Sequence, residues 1–451
     1  MYKHYNVNGV MPVKKGSIVY RSILLAVSNV ILQILGFGFR IILSRIAGAE
    51  VVGINSLTMQ MYSIFHATCI GGMSVAITTL TARIYEKGGT IAVSKLIRMG
   101  ISIFLGMLAF LSAILLSLRL DIAEILLGDI RTAQALWLIP ICILLTGFEN
   151  VYKAAYIGMG YIKKAALSEI IEQVIRYSLV VTFLQLNPDA DQSTKAFLMV
   201  LGMTLSELFS VSFLGISFHM KKRREFSRRF TENPGLSDYM HIAMPSAFTS
   251  LLTNLLSSAA IVIFPMRLVV AGYSETDAVS TLGVISGMLE PMLFLPMAFI
   301  GALCTVLLPA ISTHFEHYDL VSIRTKLKKA AFITLLISLL TCLITAFAPK
   351  LTLILFKQEV DMTLSVLLCV KVIINMFIAV CVSFMNGMLQ QKKILVFSII
   401  GEAVQLGLIW LLAGMPQFHI YGYVIGMATG DLLRLILTSL DLKALIKKER
   451  F

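Results

Sequence analysis

Gly158-Met159-Gly160-Tyr161-Ile162-Lys163-Lys164 recurs later in the chain as Gly387-Met388-Leu389-Gln390-Gln391-Lys392-Lys393. The two copies share the frame Gly-Met-x-x-x-Lys-Lys and lie 229 positions apart, which is about half of the 451 residues. Each copy follows one long apolar segment and precedes another. The repeat therefore predicts two related halves, each a bundle of membrane helices. Such a duplicated bundle is typical of transporters that alternate access to a central site.

The composition indicates an integral membrane protein. Apolar residues make up 57% of the chain and charged residues only 14%, whereas a soluble domain carries about a quarter charged residues. Apolar runs of about 20 residues recur along the sequence, and each is long enough to cross a bilayer as a helix. The first run begins near Ser17 and is longer than the apolar core of a cleavable signal peptide.

Twelve apolar runs of this kind follow one another along the chain. We predict an all-α integral membrane fold of twelve transmembrane helices, arranged as two six-helix lobes around a central cavity. The N-lobe is expected to comprise residues 1–230 and the C-lobe residues 231–451, with parallel topology because six spans return the chain to its starting side. The spans, numbered one to twelve, are predicted near 18–46, 52–82, 96–118, 134–158, 165–186, 196–219, 239–269, 279–311, 329–348, 362–390, 394–413 and 420–442.

The basic residues are distributed unevenly across the predicted membrane. The chain carries a formal charge of +13, and 26 of its 38 lysines and arginines fall in segments on one side. Seven fall in segments on the other side. Positively charged loops favour the cytoplasmic side. We therefore expect a multi-pass protein of the cell membrane with both termini in the cytoplasm. We also expect a monomer in contact with membrane lipids.

The densest basic cluster, at 221–229, lies between spans six and seven and precedes Asn233-Pro234-Gly235. We interpret it as a connector between the lobes that is held at the anionic inner leaflet. Nucleic-acid binding is disfavoured, because no basic soluble domain accompanies the cluster.

Catalytic and metal-binding signatures are missing from the sequence. All six cysteines lie inside apolar runs and none forms a C-x-x-C pair, so we expect no disulfide and no metal site. The sequence contains no G-x-S-x-G, P-loop or H-E-x-x-H motif, and no soluble segment is long enough for a nucleotide-binding domain. We expect neither an enzyme nor a cofactor.

Ionisable side chains inside a span are costly and are candidates for function. Three pairs of opposite charge lie three or four residues apart, which places both members on one helix face. Each pair is either a structural ion pair or a direct participant in transport. The pairs are Glu149 with Lys153, Glu172 with Arg176, and Asp431 with Arg434.

Three arginines near the far ends of the first helices lack a partner in their own helix. Arg40 lies about 9 Å inside the end of span one, Arg45 lies at the end of that helix, and Arg267 follows Pro265 in span seven. If the first helices of the two lobes face each other, these arginines converge on a cleft. Guanidinium groups suit phosphate there. Snorkelling to the interface is the alternative, above all for Arg45 and Arg267.

Span eight and span two supply further candidates. Glu290 precedes Pro291, and the prolines of span eight predict a kinked helix that lines a cavity or packs on neighbours. Glu290 could pair with an arginine across the cleft or take up a proton. Span two is rich in hydroxyl groups and contains His66, either as a buried hydrogen-bonded residue or as a proton carrier. Weaker candidates of the same kind are Glu207, Lys371 and Glu402.

Two stretches resemble a known family. GFGFRIILSRIAGAEVVG at 36–53 resembles the first helix and outer turn of the stage V sporulation protein B-like and polysaccharide-exporting flippases. Their pattern is roughly G-F-x-x-R-x-x-L-x-R-x-x-G-x-E-x-x-G. Leu307-Leu308-Pro309-Ala310-Ile311-Ser312 resembles the end of span eight in that group and in the related lipid II flippases.

The resemblance implies membership of the MOP (multidrug/oligosaccharidyl-lipid/polysaccharide) superfamily. Its fold is two six-helix bundles that form a V around a central cavity, and the cargo of this branch is a lipid-linked oligosaccharide, usually on a polyprenyl diphosphate. Arginines of the first helix in the lipid II flippases are thought to meet the diphosphate, a role that passes to Arg40 and Arg45. Arg267 is added from the internal repeat. Twelve predicted spans, rather than fourteen, distinguish this chain from the lipid II flippases.

The resemblance favours a flippase that moves a lipid-linked precursor for cell-wall, polysaccharide or spore assembly. The main alternative is a cation-coupled multidrug exporter of the MATE branch, which typically places a carboxylate in the first or seventh helix. Spans one and seven have no embedded Asp or Glu here. A membrane glycosyltransferase is disfavoured by outer loops of only about 15 residues, and a scaffold without transport activity is a further alternative.

Overall fold

A computed structural model describes residues 15–224, 235–317 and 319–447. The predicted lobe boundary after residue 230 lies outside these residues. Positions 225–229 of the basic cluster and Asn233 and Pro234 of the predicted linker also lie outside them.

The first half consists of long helices with glycine bends. Lys15–His66 holds span one and the first part of span two, which are helical stretches on either side of a kink at Gly48, where φ is 83°. A π-helical turn, Ala67–Gly71, leads into Gly72–Ser117, which holds the end of span two and all of span three and bends at Gly89. Loops are not needed at these reversals, because glycine adopts the positive φ that the bend requires. Spans four to six follow as Ile139–Gly158, Ile162–Leu186 and Gln192–Arg224.

The second half begins with span seven, Leu236–Val270. Span eight is broken into pieces, which are Glu275–Leu282, the π-helix Gly283–Leu289, the short helix Glu290–Leu293 and Met297–Glu316. Span nine is Leu320–Ala346, and a short helix, Ala348–Phe356, follows it. Spans ten to twelve are Met362–Gly387, Gln391–Leu412 and His419–Lys447.

The described residues contain nine helices that are long and apolar enough to cross a membrane, and a bent pair brings the number to ten. The first of these, Ala26–Tyr85, is 60 residues long, which is about twice the length that one bilayer crossing needs. The Gly48 bend divides it into spans one and two. Ile162–Leu186 supplies the remaining span. It is not among the nine or ten helices because it carries several charged residues. The all-α fold of twelve transmembrane helices in two lobes is therefore confirmed.

Each half has its own buried apolar core, and the two cores meet along spans one, two, seven and eight. Ile54 and Leu57 of span two belong to the core of the second half, whereas Tyr239 and Ala243 of span seven belong to the core of the first. Large apolar side chains such as Leu339 of span nine are more than half exposed on the outside of the bundle. That surface suits the hydrocarbon of a bilayer.

Backbone contacts between the halves are closest where glycines face carbonyl groups. A Cβ atom on Gly53 would lie 2.0 Å from the carbonyl oxygen of Val279, and one on Gly283 would lie 1.9 Å from that of Ala49. Only glycine permits so close an approach. These contacts join the start of span two to span eight, on the face of the membrane where span one ends.

Candidate functional site

The break in span eight exposes backbone carbonyl groups toward span one. Pro291 has no N–H group, so it cannot donate to the carbonyl of Gly287 in an α-helix, nor to that of Ser286 in a π-helix. Both carbonyls accept a hydrogen bond from Arg40 Nη1 instead, at 3.2 Å for Ser286 and 3.5 Å for Gly287. The broken helix therefore positions Arg40 by supplying the acceptors that its own backbone leaves unpaired.

A cavity of about 430 Å³ lies beside this contact, between span one and the second half of the chain. Span one presents one face to it, with Gln33 and Arg40 two helical turns apart. Gln33 Nε2 donates to the carbonyl of Phe294 at 3.1 Å, in the second break of span eight. The lining residues are Gln33, Gly36, Phe37, Arg40, Ser286, Glu290, Pro291, Phe294, Leu295 and Lys371.

The charged groups of this cavity are Arg40, Glu290 and Lys371. Lys371 of span ten forms an ion pair with Glu290, and its side chain is 7% exposed. Lys371 Nζ also lies 3.4 Å from the sulfur of Met427 and near the ring of Phe294. No carboxylate in the described chain is ion-paired with Arg40. The cavity therefore holds one more positive charge than negative charge. The guanidinium group of Arg40 is available to an anion.

The structure places Arg40 and Glu290 in the lining of one cavity, where Glu290 pairs with Lys371 rather than with an arginine. The other two arginines lie elsewhere. Arg45 donates to the carbonyls of Leu355 at 2.7 Å and Ile354 at 2.6 Å. It thereby caps the last turn of helix Ala348–Phe356 and favourably meets the negative end of that helix dipole. Arg45 thus fastens the end of span one to the C-lobe rather than lining the cavity.

Arg267 lies within the C-lobe, away from the lining of the cavity. Its guanidinium carbon is 4.7 Å from the ring centre of Trp410, and its side chain fills the space beside Gly414. Its Nε atom is buried without a hydrogen-bond partner in the described residues. The predicted convergence of three arginines is therefore not formed, because packing against span eleven directs Arg267 away from span one.

A second cluster of charge is buried inside the N-lobe. The predicted pairs are present, since Lys153 lies 2.8 Å from Glu149 and Arg176 is ion-paired with Glu172. Arg176 also reaches Glu207 of span six at 3.0 Å. Carboxylate oxygens of Glu149, Glu172 and Glu207 all lie within 4.8 Å of one another. Although we expected no metal site from the sequence, this spacing would suit a cation.

The N-lobe cluster has an excess of negative charge when all of its members are ionised. Glu149 and Glu207 are each only 2% exposed, and Glu207 Oε2 has no hydrogen-bond partner in the described chain. An unpaired carboxylate oxygen is costly inside a membrane protein. A bound proton or a small cation would relieve that cost.

The remaining predicted residues lie outside the cavity lining. His66 lies beside Tyr62 just before the π-turn of span two, with ring centres 6.0 Å apart and ring planes tilted by 33°. The Asp431–Arg434 ion pair is not formed in the described structure. Asp431 accepts a hydrogen bond from Asn375 at 2.5 Å instead, and Arg434 Nε is buried without a hydrogen-bond partner among the residues that the structure describes. Glu402 accepts from Ser257 of span seven at 3.3 Å.

The sequence analysis did not name Gln33 of the cavity lining, and it named Lys371 only as a weaker candidate. Gln33 could have been found, because it lies seven residues before Arg40 and therefore on the same helix face. Lys371 was recognised only as an isolated intramembrane charge. Its partner Glu290 is 81 positions away, and no local spacing reports a contact between different spans.

A scan against protein-family models finds no match to this chain. The sequence is 24% identical to stage V sporulation protein B of Bacillus subtilis over 426 residues, which cover 91% of this chain and 81% of that protein. It is 22% identical to the sporulation protein YkvU of the same organism over 317 residues, 69% of each chain.

The fold is similar to solved transporter structures at low sequence identity. An inward-facing multidrug resistance MATE family transporter of the MOP superfamily has a TM-score of 0.74 at 15% identity, covering 94% of this chain and 100% of that one. An outward-facing structure of a transporter of the same description has a TM-score of 0.69, covering 98% and 100%.

A MOP superfamily transporter from Pyrococcus furiosus has a TM-score of 0.66 at 15% identity, covering 97% of this chain and 99% of that one. That transporter is described as having a binding pocket of reverse polarity, which suggests a different function for it. These similarities agree with the resemblance seen at residues 36–53. By fold, this chain is therefore similar to transporters of the MOP superfamily, and by sequence it is similar over 91% of its length to stage V sporulation protein B.

Proposed function

We propose that this chain is a flippase that moves a lipid-linked, anionic sugar precursor across the cell membrane by alternating access. The observation that carries the proposal is the cavity between span one and the C-lobe, where Arg40 and Lys371 face a single carboxylate, Glu290. A polyprenyl diphosphate would present its phosphates to this cavity while its tail stays in the bilayer. The two lobes would rock against each other, so that the cavity opens first toward one leaflet and then toward the other.

The geometry of Arg40 suits a phosphate. Both of its hydrogen bonds to span eight use Nη1, so the edge formed by Nε and Nη2 remains for two parallel bonds to phosphate oxygens. Lys371 supplies a second positive charge, which Glu290 neutralises while the cavity is empty. An entering diphosphate would compete with Glu290 for Lys371. The exchange would leave each buried charge with a partner at every stage.

The same charges disfavour a cationic drug. An organic cation entering this cavity would meet Arg40 and Lys371, and the one carboxylate of the lining is already ion-paired. Export of cationic drugs is therefore the second candidate function, and it would require the Glu290–Lys371 ion pair to open. The similarity to two sporulation proteins supports a role in spore or cell-wall assembly. We also propose that both termini lie in the cytoplasm and that the protein is a monomer with lobes at 1–230 and 231–451.

Coupling to an ion gradient is assigned to the N-lobe cluster. Glu149, Glu172 and Glu207 outnumber Lys153 and Arg176, and a proton or small cation would balance the charge. Glu207→Gln should remove the dependence of transport in proteoliposomes on a proton or sodium gradient. Glu169→Gln is the matched control, because Glu169 lies at the edge of the cluster and is 41% exposed. Equal gradient dependence in wild type and Glu207→Gln would contradict the assignment.

The substrate assignment is tested by native mass spectrometry of the purified protein in mild detergent. A polyprenyl-diphosphate sugar and an organic cation compete for binding. We expect retention of the diphosphate lipid, with Arg40→Gln and Lys371→Gln each weakening it about tenfold, the value of one charge-assisted hydrogen bond. Arg267→Gln, which removes an arginine outside the cavity, should bind as wild type does. Retention of the cation, unaffected by Arg40→Gln, would instead support the drug exporter.

A further inference from the structure

A groove of about 540 Å³ opens on the outside of the N-lobe, where spans five and six meet the turn that ends span four. Its polar end is formed by Tyr161, Lys164, Ser217 and Lys221, and its apolar floor includes Phe213 and Ile216. None of these residues lines the cavity beside Arg40. The groove is therefore separate from the proposed transport site.

Each of the two lysines of the groove contacts a hydroxyl group and an aromatic ring. Lys164 Nζ lies 2.8 Å from Ser217 Oγ and 5.3 Å from the ring centre of Tyr156. Lys221 Nζ lies 2.9 Å from the hydroxyl of Tyr161 and 4.2 Å from the centre of that ring. These contacts orient both ammonium groups at one end of the groove. Hydroxyl and ring partners leave the positive charge of Lys164 without neutralisation in the described structure.

The internal repeat shows that this arrangement is particular to the N-lobe. Lys164 and Lys393 occupy the same place in the Gly-Met-x-x-x-Lys-Lys frame. Lys393 is ion-paired with Asp441 of span twelve at 2.7 Å, whereas Lys164 Nζ contacts the hydroxyl of Ser217 at 2.8 Å and is ion-paired with no carboxylate of the described residues. The C-lobe thus carries its own anion beside this lysine. In the part of the N-lobe that the structure describes, no acidic side chain takes that place beside Lys164, so it could receive the anion of a ligand.

The depth of the groove matches a membrane lipid. Lys221 lies at the lysine-rich end of span six, and Phe213 lies eight residues further into the span, about 12 Å along the helix. Ile216, between them, is 62% exposed. A headgroup at the lysines would therefore have its acyl chains beside Phe213 and Ile216. Basic pockets between helices at a membrane surface bind anionic headgroups in this manner.

We propose that the groove holds an anionic glycerophospholipid from the leaflet that contacts the lysine-rich turns. Its phosphate lies between Lys164 and Lys221, the tyrosine hydroxyl of Tyr161 lies at the headgroup level, and one acyl chain follows Phe213 and Ile216. Aromatic side chains are favoured at that level of a bilayer. A free phosphate would leave the apolar floor uncovered, so the lipid is the better occupant.

The test is lipid binding to the purified, full-length protein, measured by native mass spectrometry during titration with phosphatidylglycerol or phosphatidylcholine. We expect wild type to retain phosphatidylglycerol preferentially. Lys164→Gln and Lys221→Gln should each weaken that binding about fivefold, and roughly twentyfold to thirtyfold together. The double variant Lys328→Gln/Lys329→Gln removes equal charge from an exposed part of span nine and should bind as wild type does.

Two further measurements distinguish binding of the lipid in the groove from non-specific attraction of anionic lipid to lysines. Lys164→Arg/Lys221→Arg keeps both charges and should retain the lipid, which shows that loss in the glutamine variants is not a folding defect. Inorganic phosphate at millimolar concentration should not displace the lipid. Equal retention of the two lipids by wild type, equal loss in the span nine control, or displacement by inorganic phosphate would each overturn the proposal.

Discussion

Arg40 Nη1 in span one lies 3.5 Å from the carbonyl oxygen of Gly287 in span eight and donates a hydrogen bond to it. Gly287 is four residues before Pro291, whose missing N–H would otherwise have been the donor. The guanidinium group of Arg40 in the N-lobe is thus held by carbonyl groups that the break at Pro291 leaves unpaired in the C-lobe. Any anion that draws Arg40 away from this carbonyl also changes how the two lobes are joined.

Replacing Pro291 with alanine should make span eight more regular. The new N–H can bond to the carbonyl of Gly287 or Ser286 and compete with Arg40, so thermal stability should rise, by up to about 3 kcal/mol. Transport should fall severalfold, since the acceptors that position Arg40 are then occupied. Pro349→Ala is the control, because Pro349 lies in the first turn of helix Ala348–Phe356, where proline is tolerated. Undiminished transport in Pro291→Ala would rule out a role for the break.

Removing one partner of the Glu290–Lys371 ion pair should destabilise the protein far more than removing both partners. Glu290→Gln leaves a buried ammonium group without a counter-charge and should destabilise the protein by about 3 kcal/mol. Combining it with Lys371→Met removes the charge and should restore most of that loss. Thermal unfolding in one detergent, analysed as a double-mutant cycle, measures the coupling. Costs that simply add would show that the pair contributes no mutual stabilisation.

Arg45 should act as a latch between the lobes. It donates two hydrogen bonds to the carbonyls of Ile354 and Leu355, so Arg45→Ala should weaken closure at the far end of span one. The exposed, charge-assisted bonds together contribute about 1–2 kcal/mol, or roughly tenfold in the ratio of closed to open forms. Distances between spin labels on spans one and nine measure that ratio, with Arg45→Lys expected to be intermediate. An unchanged distance distribution in Arg45→Ala would count against a latch.

The glycine contacts between spans two and eight should control the same closure sterically. A methyl group on Gly53 or Gly283 would overlap a carbonyl oxygen of the opposite lobe. Gly53→Ala and Gly283→Ala should therefore disfavour the closed form by about 1–3 kcal/mol. Gly38→Ala is the control, because nothing lies within 4 Å of its added methyl group. Cysteine accessibility in the cavity reports the opening, and equal accessibility in all three variants would refute the steric account.

The stability of the folded protein should depend on pH through Asp361, at the start of span ten. Asp361 caps helix Met362–Gly387, and hydrogen bonds from Thr363 and then Tyr421 lower the pKa of the Asp361 carboxyl. A carboxyl with a lowered pKa stabilises the folded state above its ordinary pKa, and this contribution is lost as the pH falls through the folded value. The difference in melting temperature between wild type and Asp361→Ala should thus be constant from about pH 5 to 8 and shrink below about pH 4. A pH-independent difference would exclude titration of this cap.

The sequence by itself determined the features that depend on neighbours along the chain. Apolar length fixed the twelve spans, and the Gly-Met-x-x-x-Lys-Lys repeat indicated two halves. The Glu149–Lys153 and Glu172–Arg176 pairs could be predicted, because four residues return a helix to the same face. The same rule was wrong for Asp431 and Arg434, since Asn375 on span ten offers Asp431 a nearer partner. Even a local pairing is secure only when no neighbouring helix competes for it.

Tertiary structure alone decided which charges share a cavity. Arg40, Arg45 and Arg267 are similar in sequence terms, yet one faces Glu290 and Lys371, one caps a helix and one lies on Trp410. The direction of each side chain depends on the rotation of its helix and on the helix packed against it, and hydropathy records neither. The break at Pro291 could be read from the sequence. That Arg40 supplies its missing donor follows only from the packing of span one against span eight.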